Sequence, residues 1–273
     1  MHRLADPTRP EPYQSKGLVV GYVQSGKTAN FSGVVAKAID AGYRLVIVLT
    51  GTIEILRSQT QRRLDMELVG RQNISAGVDD DYANDEDWRD GNFLEHEIDP
   101  NKTNEIPAIR RLTTSTFDYK SLLAGLSALH FETVDHSLPL NDPKNLYPPS
   151  NIRIAVVKKN VSSLKKLVAD LKKVPTELDQ IPALIIDDEA DQASVNTIDP
   201  KKMKTEQVER TAINGQIARS SVYSSVPSTS VTPQHLLPMC LSIRKTASTS
   251  FLRTSSSVSS GPARTWVVRT STI

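Results

Sequence analysis

An α/β fold, with helices on both faces of a parallel sheet, is predicted by three observations. Short apolar runs that read as buried strands alternate with segments of helical periodicity. The run Gly21-Tyr22-Val23-Gln24-Ser25-Gly26-Lys27-Thr28 fits the spacing G-x-x-x-x-G-K-[ST] and lies between such a strand and such a helix. A later apolar strand runs directly into Asp187-Asp188-Glu189. In open α/β sheets ligands bind at the C-terminal ends of the strands, so the two motifs are expected to meet there.

In chain order, residues 1–16 carry Pro7, Pro10 and Pro12 among charges and read as an extended lead-in. Gly17 to Val20 is a short buried strand. Thr28 to Ala41 has Phe31, Val34, Val35, Ala38 and Ile39 at helical spacing, and Gly42 is placed to stop that helix. Arg44 to Thr50 is a second buried, parallel-type strand. The resulting βαβ unit predicts a right-handed crossover. Ile53 to Val69 reads as a helix.

The segment of about 71–105 is strongly acidic between Asp79 and Asp99 and reads as a solvated insertion outside the sheet. Its spacing lacks the ligand alternation and closing glutamate of a calcium-binding EF-hand loop. A helix is expected from Asp118 to about His130, then a proline-rich loop to Ser150. Ile152 to Val157 is a strand. Ser162 to Lys173 is an amphipathic helix with Leu164, Leu167, Val168 and Leu171 inward, and Ala183 to Ile186 is a fourth strand.

Composition bounds the rest. The chain has 273 residues, 38% hydrophobic and 23% charged, with a formal net charge of +2, so no global field argues for nucleic acid. A single cysteine, Cys240, excludes an internal disulfide and fits a reducing, cytoplasmic setting. The N-terminus lacks the apolar core of a signal peptide, and no run approaches the roughly 18 apolar residues of a membrane span.

The chemistry of the first motif follows from its residue types. Gly21 and Gly26 permit backbone turns that a Cβ obstructs. The N–H groups of the loop, including those at Gln24 and Ser25, converge with a helix N-terminus as an anion cradle. Lys27 would reach the β- and γ-phosphates, and the Thr28 hydroxyl would hold Mg²⁺. At the second motif a carboxylate at the strand tip holds Mg²⁺ and a neighbouring glutamate polarises the attacking water. Asp188 is assigned to the metal and Glu189 to the base. Asp187 competes for the metal role, because alternation sends neighbours to opposite faces and the sequence leaves the register open. The expected cofactors are ATP and Mg²⁺.

Two basic groups follow strands. Arg57, Gln59, Arg62 and Arg63 lie on the Ile53–Val69 helix, and Lys158-Lys159 follows the Ile152 strand. Both are placed to touch a nucleic-acid backbone; a solvated helix face is the other reading.

Asp188-Glu189-Ala190-Asp191 spells the second motif of superfamily 2 helicases. The strings at 17–30, at Leu56 to Leu64 and at Ile186 to Ser194 resemble the Z1 domain. The resemblance spans about residues 16–219. It implies a RecA-like P-loop NTPase sheet over 17–219, in a family of bacterial and phage proteins classed as endonucleases. It further implies ATP hydrolysis, DNA as partner, and association with a second motor lobe or other restriction and defence subunits. No nuclease motif is visible in the residues themselves.

From Ser220 the pattern changes. The last 54 residues hold 15 Ser and 8 Thr, and no acidic residue follows Glu209. The family's Tyr-Thr-Ala-Thr-Pro-like motif, which couples hydrolysis to DNA movement, is missing from the string. Residues 220–273 are therefore expected to be a poorly packed or disordered tail, read out of frame; translating the gene in the other frames tests this. Alternatives to the ATPase lobe are a nucleotide-dependent binding module and an inactive truncated remnant.

Overall fold

The computed structural model describes residues 6–8, 15–22, 27–75, 81–100, 102, 106–119, 129–147, 152–174, 176, 180–188, 238–246 and 264–269. For 15–22, 27–31, 238–246 and 264–269 it describes the backbone alone.

Three strands are apolar throughout because both of their faces are covered. β2 (Leu45–Thr50) and β5 (Ala183–Asp187) are buried at every residue, and β4 (Ile152–Lys158) at all but its last. With the short β3 (Ile109–Arg111) they form an all-parallel sheet in the order β3-β4-β2-β5. Strand β3 is too short for its period to show in the sequence.

Backbone pairing continues past β5 through β6 (Pro238–Thr246) and β1 (Ser15–Tyr22) to β7 (Arg264–Arg269), all parallel. Strands β6 and β7 fall within residues 220–273, the stretch expected from the sequence to be a poorly packed or disordered tail. Met239, Leu241 and Ile243 alternate with Cys240, Ser242 and Arg244, the period-2 pattern of a strand, which the surrounding Ser and Thr conceal.

Each face carries its own core. On one, α1 (Lys27–Asp40) and α2 (Glu54–Leu64) pack with Val35, Ala38, Ile39 and Leu64 against Val46, Val48, Ile154, Val156, Leu184 and Ile186. On the other, α6 (Val161–Leu171) buries Leu164, Leu167 and Leu171 against Leu45, Ile47, Leu49, Ala155, Val157 and Ile185. Each such aliphatic side chain contributes about 1.5–3 kcal/mol by leaving water. Asn160 caps α6, accepting from the Ser162 N–H at 2.8 Å.

Gly42 ends α1 as expected, at φ +105°; a Cβ there would press on Pro7, Leu146 and Tyr147. After α2 the helix loosens into a π-helical stretch, Asp65–Val69, then α3 (Gly70–Ser75). The helix expected from Asp118 to His130 falls mostly outside the described residues; Asp118 and Tyr119 themselves are not helical. A one-turn helix, α5 (Pro143–Leu146), interrupts the expected loop. Among the described residues no helix is long and apolar enough to cross a membrane.

The acidic segment lies outside the sheet, as expected, but it is not simply solvated. Tyr82 and Phe93 are buried in the α1-face core, with Trp88 packed against both at ring-centroid distances of 6.0 and 5.1 Å. The one-turn helix α4 (Glu86–Arg89) between them is capped by Asp85. Aromatic residues spaced among the acids anchor the segment, while Glu86, Asp90, Glu95 and Glu97 are exposed.

Candidate functional site

Strand β1 runs into the glycine-containing loop, and α1 begins at Lys27. Gly21 lies in β1; Gln24, Ser25 and Gly26 fall outside the described residues, as does Glu189. Strand β5 ends at Asp187. Asp187 is in register with Ser242 of β6, which is in register with Leu18 of β1. One strand therefore separates the loop-bearing strand from the acidic one. At about 4.8 Å per strand, their axes lie roughly 10 Å apart. Because β1, β6 and β5 are parallel, β1 and β5 present their C-terminal ends to the same edge of the sheet.

The register left open by the sequence can be read from the two cores. Along β5, Leu184 and Ile186 face the core of α1, and Ala183 and Ile185 face the core of α6. By this alternation Asp187 belongs to the α6 face and Asp188 to the α1 face. The Asp188 N–H donates to the Leu49 carbonyl at 2.8 Å, so the ladder persists to that residue. Asp187 is 4% exposed, whereas Asp188 is half-buried.

Alternation also separates the two lysines after β4. Ile154 and Val156 face α1 and α2, and Ala155 and Val157 face α6. Lys158 follows the first set and pairs with Glu54 of α2 at 2.5 Å. Lys159 follows the second set and is fully buried. Its ammonium pairs with the Asp187 carboxylate and donates to the Asp188 carbonyl at 2.9 Å. Lys159 therefore has no surface to offer a DNA strand, which corrects the expectation for this residue.

Arg57 is corrected for the same reason. It is fully buried, donating to Glu54 Oε1 at 2.6 Å and to the carbonyls of Thr114 and Ser115 at 2.9 and 2.7 Å. It fastens α2 to the loop after β3. Arg62 donates to both carboxylate oxygens of Asp85, at 2.6 and 2.8 Å, and to Asp87 at 2.5 Å. The Arg62 guanidinium holds both carboxyls below their usual range. Arg63 pairs with Glu67 at 2.8 Å, and Gln59 is exposed. Gln59 and Arg62 line an open groove of about 420 Å³ whose other wall includes Asp81 and Asp85. With Arg62 committed to Asp85 and Asp87, little of its charge is left for a phosphate backbone, which weakens the nucleic-acid reading of this helix.

A second charged cluster was not legible in the sequence. Arg111 of β3 donates to Asp65 and to Asp81, each at 2.9 Å, with both carboxylates almost fully buried. Asp65 also accepts from Gln61 at 3.0 Å and from the Tyr82 hydroxyl at 2.7 Å. Burial pushes the Asp65 carboxyl up, against the pull of Arg111. Among the described residues, no group of three His, Cys, Asp or Glu side chains is placed to hold a metal ion. No family model, curated protein or solved structure matches the chain.

Proposed function

We propose that this chain is the ATP-binding and hydrolysing lobe of a helicase-like, DNA-processing ATPase of the restriction or defence type, similar to the Z1 domain. The observation that carries the reading is the juxtaposition at one sheet edge. The strand leading into Gly21–Thr28 and the strand ending at Asp187 are parallel and one strand apart. A RecA-like organisation is consistent with this strand order, with helices on both faces, and with the half-buried Asp188 on the face that α1 covers.

The residues fit a magnesium nucleotide. The N-terminus of α1, a 14-residue helix, favours an anion through its unpaired N–H groups and dipole. Lys27 neutralises phosphate charge there. Thr28 and Asp188 would hold Mg²⁺, which supplies charge stabilisation at the transferring phosphoryl group when bound. Glu189 takes the proton from the attacking water. DNA is proposed as the partner from the likeness in motifs; of the residues named for it, Gln59 and Arg63 retain the most exposure.

Binding of a fluorescent ATP analogue and release of phosphate, each with and without DNA, test the reading. Lys27→Ala should weaken nucleotide binding at least tenfold, because a charged hydrogen bond worth about 1.5–3 kcal/mol is removed. Glu189→Gln should bind and not turn over. Equal turnover by wild type and Glu189→Gln would remove Glu189 from the role of base. Nucleotide binding without DNA stimulation would favour a binding module, and no binding by the folded chain an inactive remnant.

A further inference from the structure

We infer that Lys159 is a positioning residue for the acidic strand tip: it neutralises Asp187 and anchors the Asp188 carbonyl, leaving Asp188 as the carboxylate that meets a divalent cation. The inference rests on the magnesium-nucleotide reading above and assigns a role within that site to a residue outside both sequence motifs.

Three independent features support it. Lys159 and Asp187 are placed on the same face by the separate alternations of β4 and β5, and both are almost completely buried. A single ammonium then serves two groups, the Asp187 carboxylate and the Asp188 carbonyl. Finally, backbone bonds clamp both contributing segments to β2, from Lys159 N–H to the Thr50 carbonyl at 3.2 Å and from Asp188 N–H to the Leu49 carbonyl at 2.8 Å. Lys159 thus reaches across the end of β2 from one neighbouring strand to the other.

The chemical consequence is selective. For Asp187 to ligate a cation, it would have to bring that cation up against the buried Lys159 ammonium, a like-charge contact inside the α6-face core. Lys159 holds Asp188 through its backbone carbonyl, and the alternation of β5 assigns the Asp188 side chain to the opposite face, the one that α1 covers. Two adjacent carboxylates that look interchangeable in the sequence are therefore assigned different tasks by one lysine.

Mn²⁺ with ATP, added to the full chain and followed by the electron paramagnetic resonance of the ion, tests this. Asp188→Asn should weaken Mn²⁺–ATP binding at least tenfold. The double variant Lys159→Gln/Asp187→Asn, which substitutes a neutral hydrogen-bonded pair, should weaken it no more than about threefold. Lys159→Met releases the Asp187 charge and should alter the Mn²⁺ line shape, with Lys159→Arg restoring the wild-type spectrum. If Lys159→Met does not fold by circular dichroism, the double variant and Asp188→Asn decide. A double variant that is folded yet as impaired as Asp188→Asn would overturn the inference alone. Failure of wild type to bind Mn²⁺–ATP would overturn the nucleotide reading and this assignment with it.

Discussion

Buried charge occurs on both faces of the sheet, in arrangements that differ in what they leave over. On the α1 face, Arg111 is shared by Asp65 and Asp81, and Gln61 and Tyr82 complete the hydrogen bonding of Asp65. Every group there turns inward, joining the π-helical stretch, the acidic segment and β3. On the α6 face, Lys159 is matched to Asp187 at the end of a central strand, and the next residue, Asp188, is half-buried at the C-terminal edge. The first cluster is a staple. The second holds a carboxylate at the edge where open α/β sheets bind ligands. Burial and ion pairing alone therefore do not distinguish a site; position in the strand order does.

Several measurements would break or sharpen that contrast. The largest expected effect is from Arg111→Met, which leaves two buried carboxylates without their cation and should cost about 3–5 kcal/mol in chemical denaturation. Below its melting transition this variant should bind Mn²⁺–ATP within twofold of wild type. A much larger loss would make the staple part of the site. Lys159→Met should destabilise by a similar amount, about 3–5 kcal/mol, but should also change the metal signal.

Gly70→Ala tests the staple from the backbone side. Gly70 has φ +78°, and a Cβ there would lie 2.9 Å from the Leu94 carbonyl oxygen. A loss of about 2 kcal/mol is expected from the strained conformation, read as a lowered denaturation midpoint. No change would mean that the acidic segment yields easily.

The smallest effect concerns the outer rim. Asp85→Asn keeps the cap on α4 and removes the charge facing Arg62, at an expected cost of about 0.5 kcal/mol at pH 7, since solvent screens a partly open pair. The Asp85 carboxyl is depressed in the folded chain. Its contribution is therefore complete above the unfolded value of about 3.9 and is lost as pH falls through the lower folded value. The difference between Asp85→Asn and wild type should shrink accordingly in acid.

The strands were legible where burial on both faces forces continuous apolar sequence, as in Leu45–Thr50 and Ala183–Ile186. Helix α6 was legible from its apolar period, and the end of α1 from Gly42. Strand β3 was not, because three residues carry no period. Arg57 and Lys159 were misread as surface cations, since a charged residue at a strand end or on a helix has the same local signature whether it faces solvent or a buried acceptor. The aromatic anchoring of the acidic segment was missed for a related reason: the charge density of Asp79 to Asp99 outweighed Tyr82, Trp88 and Phe93 in a reading by composition.

By itself, the sequence determined the alternation of buried strands and helices and the order of the two motifs, because both are local patterns of polarity and glycine. Only the tertiary structure decided that Lys159 meets Asp187, that Arg57 points inward, and that Asp188 lies on the side of the sheet covered by α1. Those facts depend on which strands are neighbours and on the register between them. Neither is written in any single segment of the chain.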